Sequence, residues 1–178
     1  MPSFSERPIA ITDLETTGLD PWRHEIIELG LVLADPRTLD ILTTLNLRIT
    51  PKRLEDADPK ALEVNGFAED GWRDALPLEE AFKRYAEATK EAVFMAYNAT
   101  FDWPFISRAF SQTGMKNEMD YHRLDLLSLA YAALKDSGIE RFRLSEIAKF
   151  LGLEEEPLPH RAVNGAMLAY EVYKKISR

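Results

Sequence analysis

The sequence predicts an α/β protein in which a mixed sheet is flanked by helices. Apolar runs rich in leucine and β-branched residues near 8–14, 25–34 and 40–49 follow one another with no helical pattern between them. A fourth such run at 92–97 sits between stretches of helical spacing. The chain has 178 residues, 46% of them hydrophobic, enough for a single domain over 1–178 with a sizeable core.

Each element has a local reason. The first strand breaks at Gly18-Leu19-Asp20-Pro21 and the second at Asp35-Pro36-Arg37. A short helix over 59–64 ends near Asn65-Gly66. The stretch 77–90 reads as a helix, with Pro77 in its first turn and Leu78, Phe82 and Tyr85 at helical spacing. The fourth strand follows at 92–97, and helices are expected at 101–112, 125–135, 143–151 and 161–176. A short strand near 120–123 completes a five-stranded sheet. In the last helix Val163, Ala166, Met167, Tyr170 and Tyr173 form a core-facing stripe.

Composition excludes several classes. With no cysteine there is no disulfide framework and no thiolate metal site. No apolar run is long enough to span a membrane, and residues 1–10 lack the apolar core of a secretory signal. A cytoplasmic protein without a membrane partner is the expectation. The net charge of −8 argues against gripping long nucleic acid, because phosphate neutralisation drives such binding. Holding a few terminal nucleotides, with bound cations supplying the positive charge, stays compatible with it.

The densest chemistry lies at Asp13-Leu14-Glu15-Thr16-Thr17-Gly18. A strand puts residues i and i+2 on one face, so Asp13 and Glu15 point the same way where an apolar strand meets a glycine turn. Like charges so placed raise each other's pKa and oppose stability. A divalent cation between them resolves the conflict, and two oxygen ligands suit Mg²⁺ or Mn²⁺. For the pair alone, the alternative is a strand end with two solvated acids.

Two further segments extend the pattern. Tyr97-Asn98-Ala99-Thr100-Phe101-Asp102 follows the fourth strand, and Pro159-His160-Arg161-Ala162 precedes the last helix. Together with the first motif they resemble the DEDD-type 3′–5′ exonucleases with a histidine (DEDDh), the DnaQ-like group that includes the proofreading subunits of bacterial replicative polymerases and ribonuclease T. The family's first motif, Asp-x-Glu-Thr-Thr-Gly, is complete at Asp13 to Gly18. Its second, Asn-Ala-x-Phe-Asp, is matched by Asn98, Ala99, Phe101 and Asp102. Glu25-Ile26-Ile27-Glu28-Leu29-Gly30 and Arg123-Leu124-Asp125-Leu126-Leu127 are similar to family segments, and the motifs cover essentially the whole chain in order.

The resemblance implies a ribonuclease H-like mixed five-stranded sheet and metal-dependent hydrolysis of terminal nucleotides of DNA or RNA through two Mg²⁺ or Mn²⁺ ions. Asp13 would bridge both ions, Glu15 would ligate the ion holding the attacking water, and Asp102 would hold the second ion. His160 would be the general base, which suits a side chain with an unperturbed pKa near ~6.5. An exposed loop histidine is the alternative. The turn at Thr16, Thr17 and Gly18 would meet the 3′ nucleotide, with Asn98 orienting the second motif by side-chain hydrogen bonds. Leu19 and Phe105 are candidates for apolar contact with terminal bases, or else ordinary core residues. Trp22 and Trp103 are weaker candidates of the same kind. Asp125 either caps a helix or supports the site from behind. The implied ligand is the 3′ end of a single strand or a frayed duplex; oligomeric state and a polymerase partner stay open.

The third motif departs from the family. Five residues after the histidine the family has a fourth aspartate, where this chain has Gly165, preceded by Asn164. Glycine inside a helix costs ~1 kcal/mol relative to alanine, so it is no indifferent filler. Asn164 can serve as a neutral metal ligand, a glutamate of 154–156 can replace the missing acid, or the chain is an impaired exonuclease fold that binds nucleic acid or a partner. On the sequence alone, Gly165→Asp is expected to raise metal affinity and activity.

Overall fold

A computed structural model describes residues 3–154, 156–157 and 159–177. Its five strands are β1 (Ile9–Thr16), β2 (Ile26–Ala34), β3 (Ile41–Arg48), β4 (Val93–Ala96) and β5 (Arg123–Asp125). The helices are α1 (Pro59–Asn65), α2 (Leu78–Ala88), α3 (Ala99–Thr113), α4 (Leu126–Leu134), α5 (Leu144–Phe150) and α6 (Ala162–Ile176). The strand order is β3-β2-β1-β4-β5, with β1 antiparallel to β2 and parallel to β4. This is the mixed five-stranded sheet expected from the strand spacing.

Strand alternation divides the core into two layers. Ala10 and Leu14 on β1, with Leu29, Leu31 and Leu33 on β2, face α2 and α3, where they meet Phe82, Tyr85, Phe105 and Phe110. Ile9 and Ile11, with Val32 and Ala34, face the other way onto Ala166, Ala169, Tyr170 and Ile147. Because side chains alternate, Asp13 and Glu15 continue the Ile9–Ile11 face and lie under α6. Thr12, on the opposite face, shares a 2.9 Å hydrogen bond with the Tyr85 hydroxyl. β1 and β2 are apolar on both sides because helices cover both; β3, at the sheet edge, is largely exposed.

Two boundaries differ from the sequence reading. β5 begins at Arg123 rather than near 120, because the Asp120 carboxylate accepts the His122 backbone N–H at 2.9 Å and turns the chain first. α3 begins at Ala99, two residues early, because Asp125 Oδ1 accepts the Ala99 N–H at 3.0 Å and satisfies an otherwise orphaned amide. No helix among the described residues is long and apolar enough to cross a membrane.

Candidate active site

The cleft forms where the C-terminal end of β1, the first turn of α3 and the start of α6 meet. On the α6-facing side of the sheet, Asp13 pairs in register with Gly30, and Glu15 with Glu28. α6 approaches so closely that a Cβ on Gly30 would collide with the Ala162 carbonyl. A Cβ on Gly165 would lie 2.8 Å from Asp13 Cγ. The two glycines let the helix settle onto the carboxylate-bearing strand.

The segment carrying His160 is fastened from several sides. Pro159 packs against Gly66, the left-handed C-cap of α1. Arg161 donates to the Asn65 carbonyl at 2.9 Å, and the Ala162 N–H reaches Glu28 Oε2 at 3.4 Å. Glu156 accepts from the Arg161 N–H at 3.2 Å and lies 3.1 Å from His160 Nδ1. His160 itself is 42% exposed at the cleft rim.

The acids occupy an unfavourable electrostatic environment. Asp102 is 2% exposed in the first turn of α3. Burial pushes its carboxyl up to about 8, partly offset by backbone amides of Asp102 and Leu14 and raised again by Glu15. Glu15 is pushed up to about 7, chiefly by burial, with His160 pulling the other way and Glu28 and Glu156 adding to the rise. Asp13 is raised well above the usual carboxylate range by burial and then by the charges of Asp102, Glu15, Glu156 and Glu28. Thus Asp13 feels the charges of Asp102 and Glu15, Asp102 feels Glu15, and Glu15 feels His160. Among the described residues, none of the three acids takes part in an ion pair.

Three carboxylates without a basic partner have the donor chemistry of a hard-cation site. Among the described residues, no three acidic or histidine side chains are drawn tightly enough to enclose a cation as they stand. In donor chemistry the set suits Mg²⁺ or Mn²⁺, and Asp13 fills the space beside Gly165.

A groove of about 320 Å³ opens beside Glu15, bordered by Thr16, Leu19, Val64, Asn65 and Phe101. Leu19 is 77% exposed there. Phe105 does not reach it. It lies three residues after Asp102 on the inner face of α3, is 2% exposed, and packs in the core, leaving Phe101 as the groove aromatic. Thr17 is also internal, its hydroxyl accepting the Glu25 N–H at 2.9 Å. The Thr16 hydroxyl donates to the Gly18 carbonyl at 2.8 Å and shapes the turn, while Gly18 lies flat against the His24 ring. Asn98 is exposed, with φ of 62°, and accepts from the Thr100 hydroxyl at 2.7 Å at the entry to α3.

Asn164 lines a cavity of about 270 Å³ with Glu154, Glu156 and Met167; the α6 residue against Asp13 is Gly165. Glu155 lies outside the described residues. Asp125 caps twice: Oδ2 accepts the Ser128 N–H at 3.2 Å, while Oδ1 serves α3. Phe101, Arg161 and Glu28 were not anticipated as parts of the site. The signal for Glu28 was present, since an acid inside the apolar run of β2 needs a reason. Arg161 and Phe101 each adjoin a motif residue but have no periodic signature of their own.

A family model for exonucleases, RNase_T, matches residues 10–173. The chain is 30% identical over 173 residues to the PolC-type DNA polymerase III of Thermotoga petrophila, covering 96% of this chain and 12% of that protein. It is 27% identical over 161 residues to the epsilon subunit of DNA polymerase III of Treponema pallidum, covering 90% of this chain and 72% of the relative. A zinc-bound structure of E. coli exonuclease I with single-stranded DNA superposes with a TM-score of 0.82 at 19% identity, over 96% of this chain and 40% of that one. The fold is therefore that of exonucleases, ribonuclease H-like, and the chain belongs to the RNase_T exonuclease family. It spans only about an eighth of the length of the PolC-type relative.

Proposed function

We propose that this chain is a metal-dependent 3′–5′ exonuclease that hydrolyses terminal nucleotides from single-stranded ends. The observation that carries this reading is the uncompensated set Asp13, Glu15 and Asp102 beside His160, with an apolar groove next to Glu15. The groove suits one unstacked terminal base between Leu19, Val64 and Phe101. Asp13, Glu15 and Asp102 would hold two Mg²⁺ or Mn²⁺ ions, while Asn164, turned to the cavity beside Met167, is not placed to join them. Such ions, when bound, acidify the attacking water and stabilise charge on the scissile phosphate. His160 accepts the water's proton at the cleft rim, where product and solvent exchange freely. The Thr16–Gly18 turn orients the terminal sugar through its backbone, since its hydroxyls are engaged internally.

The presence of single-stranded DNA in the E. coli exonuclease I complex supports a single-stranded substrate, and the polymerase relatives support action beside a polymerase. Gly165 favours a second reading, reduced activity in a module that mainly binds a 3′ end. Labelled single-stranded DNA and RNA incubated with Mn²⁺ separate the two. The nuclease reading expects a ladder shortened from the 3′ end, abolished by EDTA and by Asp13→Ala. Tight binding without shortening at any metal concentration would establish the binding module instead.

A further inference from the structure

Glu156 has no counterpart among the motif residues, yet it is the acid most firmly built into the rim of the cleft. Its side chain is 14% exposed. One oxygen lies 3.1 Å from His160 Nδ1, and the other accepts the Arg161 N–H at 3.2 Å. His160 has no other hydrogen-bond partner among the described residues, so an otherwise free, half-exposed imidazole is oriented from one side only.

We propose that Glu156 is the positioning residue for His160, holding the ring with Nδ1–H directed at its carboxylate and Nε2 left free to accept a proton. This rests on the reading of His160 as the base. A carboxylate accepting from Nδ1–H selects one tautomer and fixes the ring plane. The grip on the Arg161 amide makes the arrangement rigid, because Arg161 opens α6 and is tied to Asn65, while Ala162 is tied to Glu28. The carboxylate thus refers the ring to the helix that carries Gly165 onto Asp13.

A competing role is that Glu156 supplies the acid missing at position 165 as a metal ligand. The geometry favours positioning, since each oxygen already has a partner on the His160 side. Glu156 still lies near enough for its charge to reach Asp13 and Glu15, so the roles need an experimental separation.

The test uses the full chain with Glu156→Ala, Glu156→Gln, Asp13→Ala and His160→Asn, the last to assign the imidazole signals. In metal-free protein, ¹⁵N shifts of His160 should show Nδ1 protonated and Nε2 bare in the wild type. In Glu156→Ala they should move toward the Nε2–H form that dominates in an unconstrained histidine side chain. With Mn²⁺ and a single-stranded oligonucleotide, Glu156→Ala should lower kcat by about 10–100-fold with KM nearly unchanged. Glu156→Gln should recover much of that loss, because its amide oxygen still accepts from Nδ1–H. Mn²⁺ affinity by calorimetry should stay near wild type in Glu156→Gln. An unchanged tautomer and kcat in Glu156→Ala, while Asp13→Ala abolishes cleavage, would overturn the inference and leave the nuclease reading standing. Mn²⁺ affinity falling as far in Glu156→Gln as in Asp13→Ala would also overturn it, making Glu156 a metal ligand. A wild type that never shortens 3′ ends would defeat the nuclease reading instead, and the tautomer shift would still decide whether Glu156 sets the ring.

Discussion

Gly165→Ala is the smallest perturbation that probes the site where the chain departs from its family. The added Cβ would fall 2.8 Å from Asp13 Cγ, inside the 3.4–4 Å of ordinary contact. The Asp13 carboxylate must therefore retreat by roughly 0.7–1 Å to restore normal carbon–carbon separation. Alanine is favoured over glycine in a helix by ~1 kcal/mol, while overpacking costs about 1–3 kcal/mol. The net loss is therefore about 0–2 kcal/mol, small enough for the variant to fold. Function should not survive as well, because a displacement of about 1 Å at a reacting centre can cost ~10²-fold in rate. Calorimetric Mn²⁺ binding and 3′ shortening of a labelled single strand measure both consequences. Wild-type Mn²⁺ affinity together with wild-type rate would refute the argument, showing that Asp13 does not depend on the space above Gly165. The same geometry corrects the expectation that Gly165→Asp simply raises metal affinity. Aspartate returns an anionic donor but displaces Asp13 equally and adds charge among acids already hard to ionise. Its Mn²⁺ affinity should exceed that of Gly165→Ala without exceeding wild type.

Other outcomes follow from the same site. Glu15 and Asp102 are raised from 4.5 and 3.8 to about 7 and about 8, so the folded state holds protons that the unfolded chain has released. Metal-free stability should therefore be highest below about pH 4.5 with respect to these groups and fall as pH rises toward 8, with Glu15 alone contributing up to roughly 3 kcal/mol; urea titrations at pH 5.5 and 8 showing no such loss would count against the buried acids. Adding Mn²⁺ at pH 8 should restore much of the difference, because an ion bound only by the folded state stabilises it. His160→Ala should lower kcat by ~10²–10⁴-fold with little change in KM, which steady-state kinetics will separate from a structural loss affecting both. Phe101→Ala should raise KM for a single-stranded substrate while leaving the fold intact, whereas Phe105→Ala should cost about 3–5 kcal/mol in denaturant melts; the reverse pattern would return Phe105 to the groove.

Most of the architecture was legible because it rests on periodicity. β1, β2 and β3 carry long apolar runs with turn residues between them, and α2 and α6 show clear helical stripes. What was misplaced depended on side chains far apart in the chain. The early start of α3 is set by Asp125, 26 residues away from Ala99. Phe105 was open between contact with a terminal base and core packing; only the packing of α3 shows it inward, with Phe101 at the groove. Glu28 and Arg161 become parts of the site through contacts across 134 and 96 residues, to Ala162 and Asn65 respectively, and no local pattern encodes such contacts.

The departure at position 165 has a physical partner at position 30. Gly30 and Asp13 are cross-strand neighbours, and α6 crosses both with Ala162 and Gly165 in contact. With the Ala162 carbonyl seated where a side chain on residue 30 would stand, the helix lies too close to the sheet to carry a Cβ over Asp13 as Asp13 is now oriented. A carboxylate delivered from α6 at this point would require the helix to lift or Asp13 to turn away. The loop preceding α6 is under no such constraint, and there the chain places Glu156, anchored to the first amide of the segment that leads into the helix. With no acid on the helix at this point, the loop is the side from which Glu156 acts on the cleft, through His160 and with its charge reaching Asp13 and Glu15.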